Sequence, residues 1–146
     1  MPVPTILSEK FIKEFHKRMF GSVWKWAGHF RTSNKNLGIE WHTLPVNLRQ
    51  LLDDVLFWIE YQSFDPDEIA IRFKHRLVSI HCFPNGNVRH SRLLADIIVE
   101  KLYNKPVFSW GAAKVTNHGN ARTTYIEALK AADHGDYTSL LAFARS

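Results

Sequence analysis

His81-Cys82-Phe83-Pro84-Asn85-Gly86-Asn87-Val88-Arg89-His90-Ser91-Arg92 is the stretch on which the reading of the whole chain turns. Pro84, Asn85 and Gly86 break a helical pattern, and apolar stripes run on either side of the break. Upstream, Ile69, Phe73, Leu77 and Ile80 recur at helical spacing and stop at His81. Downstream, Leu94, Ile97, Ile98 and Leu102 point one way on a second helix that begins near Asn87 or Val88. A loop feeding a helix N-terminus presents free backbone N–H groups and the positive end of the helix dipole, which together attract an anion. Gly86 lets a ligand approach the backbone because no Cβ stands in the way. Arg89 and Arg92, three apart near the helix start, are expected to share a face and reach oxygens of one polyphosphate. His81 titrates near neutrality and can take a proton from an attacking hydroxyl. Taken singly, each residue also has an ordinary structural reading; the twelve-residue clustering is what favours chemistry. Phe83 reads as a core plug and Cys82 as a packed thiol without a base beside it.

Working outward, Ser8 is placed to cap a helix running to about Met19, with Phe11, Ile12, Phe15 and Met19 at helical spacing. Residues 30–44 change character: Asn34, Asn36 and Gly38 separate short apolar or β-branched pieces, which predicts an exposed hairpin. Pro45 restarts the helical pattern, with Leu48, Leu52, Val55 and Ile59 as its buried stripe. Asp65, Pro66 and Glu68 predict the next helix start as N-cap, first position and capping-box partner. After a broken stretch over 104–111 come a short helix, one from about Asn120 to Ala132, and a last one over 137–144 capped by Asp136. The fold class expected is all-α, six to eight helices with one small β-hairpin, as a single domain over 1–146.

The chain has 146 residues, 45% of them apolar and 23% charged, which suits one globular core. Nineteen basic against 14 acidic residues give +5, enough to favour an anionic ligand and too little to argue for nucleic acid. One cysteine excludes an internal disulfide and suits a reducing cytoplasm. No apolar run approaches the ~20 residues needed to span a bilayer, so no membrane role is expected. The eight histidines show no zinc-site spacing.

The segment 81–92 resembles the Fic motif, His-x-Phe-x-(Asp/Glu)-Gly-Asn-Gly-Arg-x-x-Arg, at His81, Phe83, Gly86, Asn87, Arg89 and Arg92. Arg18-Met19-Phe20-Gly21, Val23-Trp24-Lys25-Trp26-Ala27-Gly28, Leu51-Leu52-Asp53-Asp54-Val55 and the closing Leu140-Leu141-Ala142-Phe143-Ala144-Arg145-Ser146 resemble the branch called mobile mystery protein B. The resemblance implies a Fic-type helical domain moving AMP from ATP, with Mg²⁺, to a Tyr, Thr or Ser hydroxyl of a target protein. It implies His81 as general base, Asn85, Gly86, Asn87 and Val88 around the phosphates, Arg89 on phosphate and Arg92 on the terminal phosphate. The hairpin then corresponds to the family's flap, with Ile39, Glu40 and Trp41 against a target segment docked as an added strand.

Two positions depart from the motif. Asn85 replaces the acidic metal ligand, so any Mg²⁺ bound there is expected to be held weakly. Val88 replaces the second glycine, and its branched Cβ is expected to crowd the donor phosphates. Relatives of the death-on-curing type carry lysine there and move phosphate instead. A phosphotransferase and a nucleotide-binding module without turnover therefore stand beside AMP transfer. The family's inhibitory motif, (Ser/Thr)-x-x-x-Glu-(Gly/Asn), is matched at Thr123 and Glu127 only in spacing, since Ala128 follows. The N-terminal inhibitory helix is expected to be absent, leaving a shortened chain or a separate antitoxin-like inhibitor as the two alternatives.

Overall fold

A computed structural model describes residues 3–112 and 118–146. The described α-helices are α1 (Val3–Ile6), α2 (Glu9–Phe20), α3 (Leu44–Tyr61), α4 (Pro66–Ile80), α5 (Asn87–Ile97), α6 (His118–Asp133) and α7 (Thr138–Ala144). A 3₁₀ turn, Trp41–Thr43, leads into α3, and α5 runs on into a π-helical turn, Ile98–Leu102. The short helix expected after Gly111 falls on residues 113–117, outside the described residues.

Helix α4 is the centre of the domain because it is apolar on more than one side. Ile69, Ala70, Ile71, Phe73, Leu77 and Ile80 are all buried, so α3, α5 and α7 each have a face to pack on. Leu48, Leu51, Leu52 and Val55 of α3 and Leu94, Ala95 and Ile98 around α5 complete this core. Each fully buried Leu, Ile or Phe contributes about 1.5–3 kcal/mol relative to exposure, which holds the α4–α5 pair firmly in place. The C-terminus is tied back to the start of α4: Arg145 donates from Nε and Nη2 to Asp67 at 2.9 and 2.7 Å. Lys105 Nζ joins the same carboxylate at 2.9 Å. Both cations hold Asp67 below the usual carboxylate range.

Helix starts follow their sequence signals in part. Ser8 Oγ accepts the Phe11 N–H at 3.1 Å, and Asp136 Oδ1 accepts the Thr138 N–H at 3.1 Å. Asp65 and Pro66 open α4 as expected, but the capping box does not form. Glu68 accepts from Arg72 Nε at 2.7 Å instead. That guanidinium is held over the rings of Phe64 and Tyr137, 4.0 and 4.4 Å from their centroids, so the i,i+4 ion pair is the nearer partner.

The expected β-hairpin is not formed: among the described residues there is no strand, and 30–40 is an irregular loop. The physical reason is Arg31, 2% exposed, which takes the carbonyls a ladder would need. It donates to the carbonyls of Ser33 at 3.0 Å and Ile39 from within the loop, and of Ile80 at 3.2 Å and His81 at 2.6 Å from the end of α4. The Trp41 N–H is satisfied by Asn34 Oδ1 at 2.8 Å, so the loop closes through side chains rather than cross-strand bonds. An isolated two-stranded ribbon has little stability of its own, and this loop has a better use for its polar groups.

Candidate functional site

The turn between α4 and α5 is built from an aromatic floor upward. Phe83, fully buried, stacks on His16 of α2 with centroids 3.8 Å apart and planes 13° apart. His90 meets the Phe83 ring edge-on at 5.2 Å, and Trp24 and Trp26 stack on each other at 4.6 Å nearby. His16 is more than floor. Its Nδ1 accepts the Gly28 N–H at 3.0 Å, which leaves the proton on Nε2, 3.0 Å from the Asn85 carbonyl that accepts it. Burial depresses the basicity of His16, consistent with a neutral ring. His90 is likewise buried, its Nε2–H directed at the Ile12 carbonyl at 3.0 Å, and burial lowers it to about 4.

Asn87 closes the loop on itself. Its Oδ1 accepts the Phe83 N–H at 3.0 Å and its Nδ2 donates to the Phe83 carbonyl at 2.8 Å, so the side chain is a buried brace. Gly86 takes φ +79°, and a Cβ there would stand 2.6 Å from Phe20, so the turn needs glycine twice over. The first backbone bond of α5 runs from the His90 N–H to the Gly86 carbonyl at 3.0 Å. The N–H groups of Asn87, Val88 and Arg89 therefore have no intrahelical acceptor and point out of the helix start.

His81 stands across from that helix start. It caps α4 in the left-handed region, φ +58°, with its N–H donating to the Leu77 carbonyl at 3.1 Å. Gly38 of the loop packs directly on it: a Cβ at Gly38 would be 2.7 Å from His81 Cβ. Burial, then the positive charges of Arg31 and Lys35, hold His81 below the usual imidazole value. It is therefore neutral at pH 7 and able to accept a proton. Two clefts meet at this ring. One, of about 220 Å³, is lined by His81, Asn85, Gly86, Asn87, Val88 and Arg89. The other, of about 370 Å³, is lined by Asn34, Lys35, Asn36, Leu37, His81 and Pro84.

The structure thus brings His81 together with 85–89, and it places four further residues elsewhere. Arg92 does not line the cleft: its guanidinium lies over Trp110 and Tyr125, 5.5 and 5.9 Å from their centroids, while Arg89 lies 5.9 Å over Phe20. The two arginines expected to converge on one polyphosphate reach different aromatic partners. Ile39 and Glu40 line a separate groove of about 510 Å³ with Asn34, Lys35, Gly38, Thr43 and Asn47. Trp41, 43% exposed, stands on the surface beside them. Val88 is 44% exposed at the cleft and does not pack into the following helix.

A divalent metal finds a poor donor set here. Asn85 is neutral and exposed, and its Oδ1 is already accepting the Gly86 N–H at 2.8 Å. Among the described residues no group of three His, Cys, Asp or Glu side chains could hold a metal ion. Cys82, buried, has its thiol pushed up to about 12 and offers neither a ligand nor a nucleophile. Three positioning residues, Arg31, His16 and Asn87 in its bracing role, carried no local signal in the sequence. Each acts through a contact with a distant or buried backbone or ring.

The Fic/DOC family model matches residues 6–99. Protein adenylyltransferase fic-1 of Caenorhabditis elegans is 32% identical over 100 residues, 66% of this chain and 20% of its own length. Protein adenylyltransferase Fic of Aedes aegypti is 29% identical over 138 residues, 92% of this chain and 26% of its own. A solved structure of Fic-1 from C. elegans superposes with a TM-score of 0.72 at 25% identity, covering 94% of this chain and 39% of that one. The chain spans about a quarter of the length of the curated relatives it matches.

Proposed function

This chain belongs to the Fic/DOC family, and from that premise we propose that it moves AMP from ATP to a Tyr, Thr or Ser hydroxyl of a target protein, with His81 as general base. The observation that carries the reading is the position of a neutral His81 between two clefts. The donor phosphates occupy the cleft at 85–89, where the N–H groups of 87–89 and Arg89 supply positive ends. The target segment lies along the loop 34–40. Its hydroxyl oxygen attacks the α-phosphorus, the α–β bridging bond breaks, pyrophosphate leaves, and the hydroxyl proton passes to His81. Asn85 and its surroundings do not fit a metal ion, so the N–H groups of 87–89 and Arg89 face the phosphate charge.

Within the family the segments quoted above favour the mobile mystery protein B-like branch. A single unit over 1–146, a cytoplasmic setting and a separate antitoxin-like inhibitor belong to the same reading. A second reading rests on Val88: its exposed branched side chain narrows the phosphate cleft and favours a reversed donor pose, hence phosphate transfer. Incubating the protein and cell lysate with ATP labelled at the α- or γ-phosphate separates the two. Label from α supports AMP transfer, label from γ supports phosphate transfer, and label from neither leaves a binding module.

A further inference from the structure

The positive charge of this chain is concentrated in one segment. Between Lys10 and Lys35 stand seven Lys or Arg residues and one carboxylate, Glu14, a balance of +6 in a chain whose total is +5. Everything outside that segment therefore sums to −1. The fold lays most of this excess along one path. Lys10, Lys13 and Lys17, three and four apart, share a face of α2. The turn at Gly28 lies against that face, since a Cβ there would stand 2.8 Å from Lys17 Cβ and 3.0 Å from the Lys13 carbonyl oxygen. Two residues on, the Phe30 ring passes beneath Lys13 Nζ, which is 4.3 Å from its centroid. The Arg31 N–H then donates to the Cys82 carbonyl at 3.0 Å, which brings the chain beside His81. Lys35 ends the path in the cleft of about 370 Å³ that His81 also lines. Arg18 leaves it, turned to a separate groove with Phe11, Phe15 and Lys101.

Few of these charges have partners within the chain. Lys10, Lys17, Lys25 and Lys35 are exposed, and among the described residues none of the four forms an ion pair. Lys13 lies 3.6 Å from Glu9. Glu40, the one carboxylate that lines the adjoining groove with Lys35, lies 3.7 Å from His42 Nδ1. No carboxylate among the described residues lines the His81 cleft itself. A row of like charges repels itself; an acidic partner relieves that repulsion on docking, and the field of the row steers such a partner toward the cleft.

We propose that this strip is a docking surface for an acidic segment of the target protein, with Lys35 facing the carboxylates closest to the acceptor hydroxyl and Lys17 and Lys10 those farther along. The proposal rests on the reading of the cleft at 34–37 as the acceptor side, and it concerns which polypeptide docks rather than the transfer. A binding assay therefore tests it apart from AMP transfer. Fluorescence anisotropy of labelled poly(Glu,Tyr) titrated with the full chain at about 0.15 M salt reads it, with poly(Lys,Tyr) and a single-stranded DNA oligonucleotide as comparison probes. The expected result is binding of poly(Glu,Tyr) that weakens as salt is raised, no binding of poly(Lys,Tyr), and weaker binding of the DNA. Lys17→Glu with Lys35→Glu should weaken poly(Glu,Tyr) on the order of tenfold. Arg122→Glu with Lys130→Glu, the same change of charge at exposed positions of α6, should leave the affinity within about twofold. All four positions are exposed, so both variants should stay folded, and melting curves alongside confirm it. Lys35→Glu alone should give a smaller loss in the same direction. No binding of poly(Glu,Tyr), poly(Lys,Tyr) or DNA bound as tightly as poly(Glu,Tyr), or equal losses from the two double variants would each overturn the proposal. Binding of poly(Glu,Tyr) at the strip without transfer of α-phosphate label to its tyrosines would support the docking surface and count against the proposed activity.

Discussion

Replacing Arg31 with methionine should uncouple the loop 30–40 from His81, and its size follows from the contacts. The guanidinium donates to four carbonyls, those of Ser33, Ile39, Ile80 and His81, and the Arg31 N–H donates to the Cys82 carbonyl at 3.0 Å. Only the side-chain bonds are lost. At about 1 kcal/mol for each carbonyl left without its donor, the gross loss is about 4 kcal/mol. Water reaches some of these part-buried groups, and removing a guanidinium with no carboxylate partner among the described residues returns part of its desolvation cost. A net destabilisation of about 2–4 kcal/mol remains, a drop in melting temperature of roughly 10 °C. The same change should move His81. Arg31 is the second cause of its lowered basicity after burial, so His81 should titrate closer to the ordinary value, though still below it. Thermal melts give the first number and proton NMR titration of the His81 ring gives the second. An unchanged melting temperature together with an unchanged His81 titration would refute the assignment of Arg31 as the staple of this site.

Other perturbations give separate checks. Stability should fall as pH drops from about 6.5 toward 4, because His90 is held near 4 in the folded state against about 6.5 unfolded. A lowered folded value means the stabilisation is complete above the unfolded value and lost on acidification, by about 3 kcal/mol from His90, with His16 acting in the same direction. Urea melts at pH 7 and pH 4.5 measure it, and equal midpoints would contradict it. Gly86→Ala should cost about 1–3 kcal/mol and abolish phosphate binding, since φ +79° and the 2.6 Å approach to Phe20 both exclude a Cβ; calorimetry with pyrophosphate reads it. Asn85→Asp with Val88→Gly should raise Mg²⁺-dependent α-phosphate transfer above the parent if the two departures limit the enzyme. The exposed Val88 means its removal costs no more than about 1 kcal/mol. A folded double variant that binds ATP and transfers nothing would place the limitation elsewhere.

The elements whose signals are local were legible in the sequence. Ser8 at α2, Pro66 at α4 and the Pro-Asn-Gly break before α5 all stand where their own residues put them. Phe83 and Cys82 are buried as their surroundings suggested. What was not legible depends on partners far along the chain. Arg31 reads locally as a surface cation beside a hairpin, yet it is buried and bonds both to the Ser33 and Ile39 carbonyls of the loop and to carbonyls some 50 residues away. His16 reads as one of eight scattered histidines, and its role appears only when α2 is packed beneath the loop and meets Asn85. Asn87 matched a motif position without revealing that its amide is spent inside the turn. Arg92 has the spacing of Arg89, but Trp110 and Tyr125 draw it to another shelf.

The central claim, that His81 takes the proton of an attacking hydroxyl at this cleft, is tested most directly by one comparison: α-phosphate label transferred at saturating ATP by the parent and by His81→Ala, with tripolyphosphate affinity measured on the same samples. The account predicts a rate lower by about 10²–10⁴ in the variant, with phosphate affinity unchanged because the donor groups at 86–89 are untouched. A variant that binds phosphate normally and transfers label at the parental rate would contradict it.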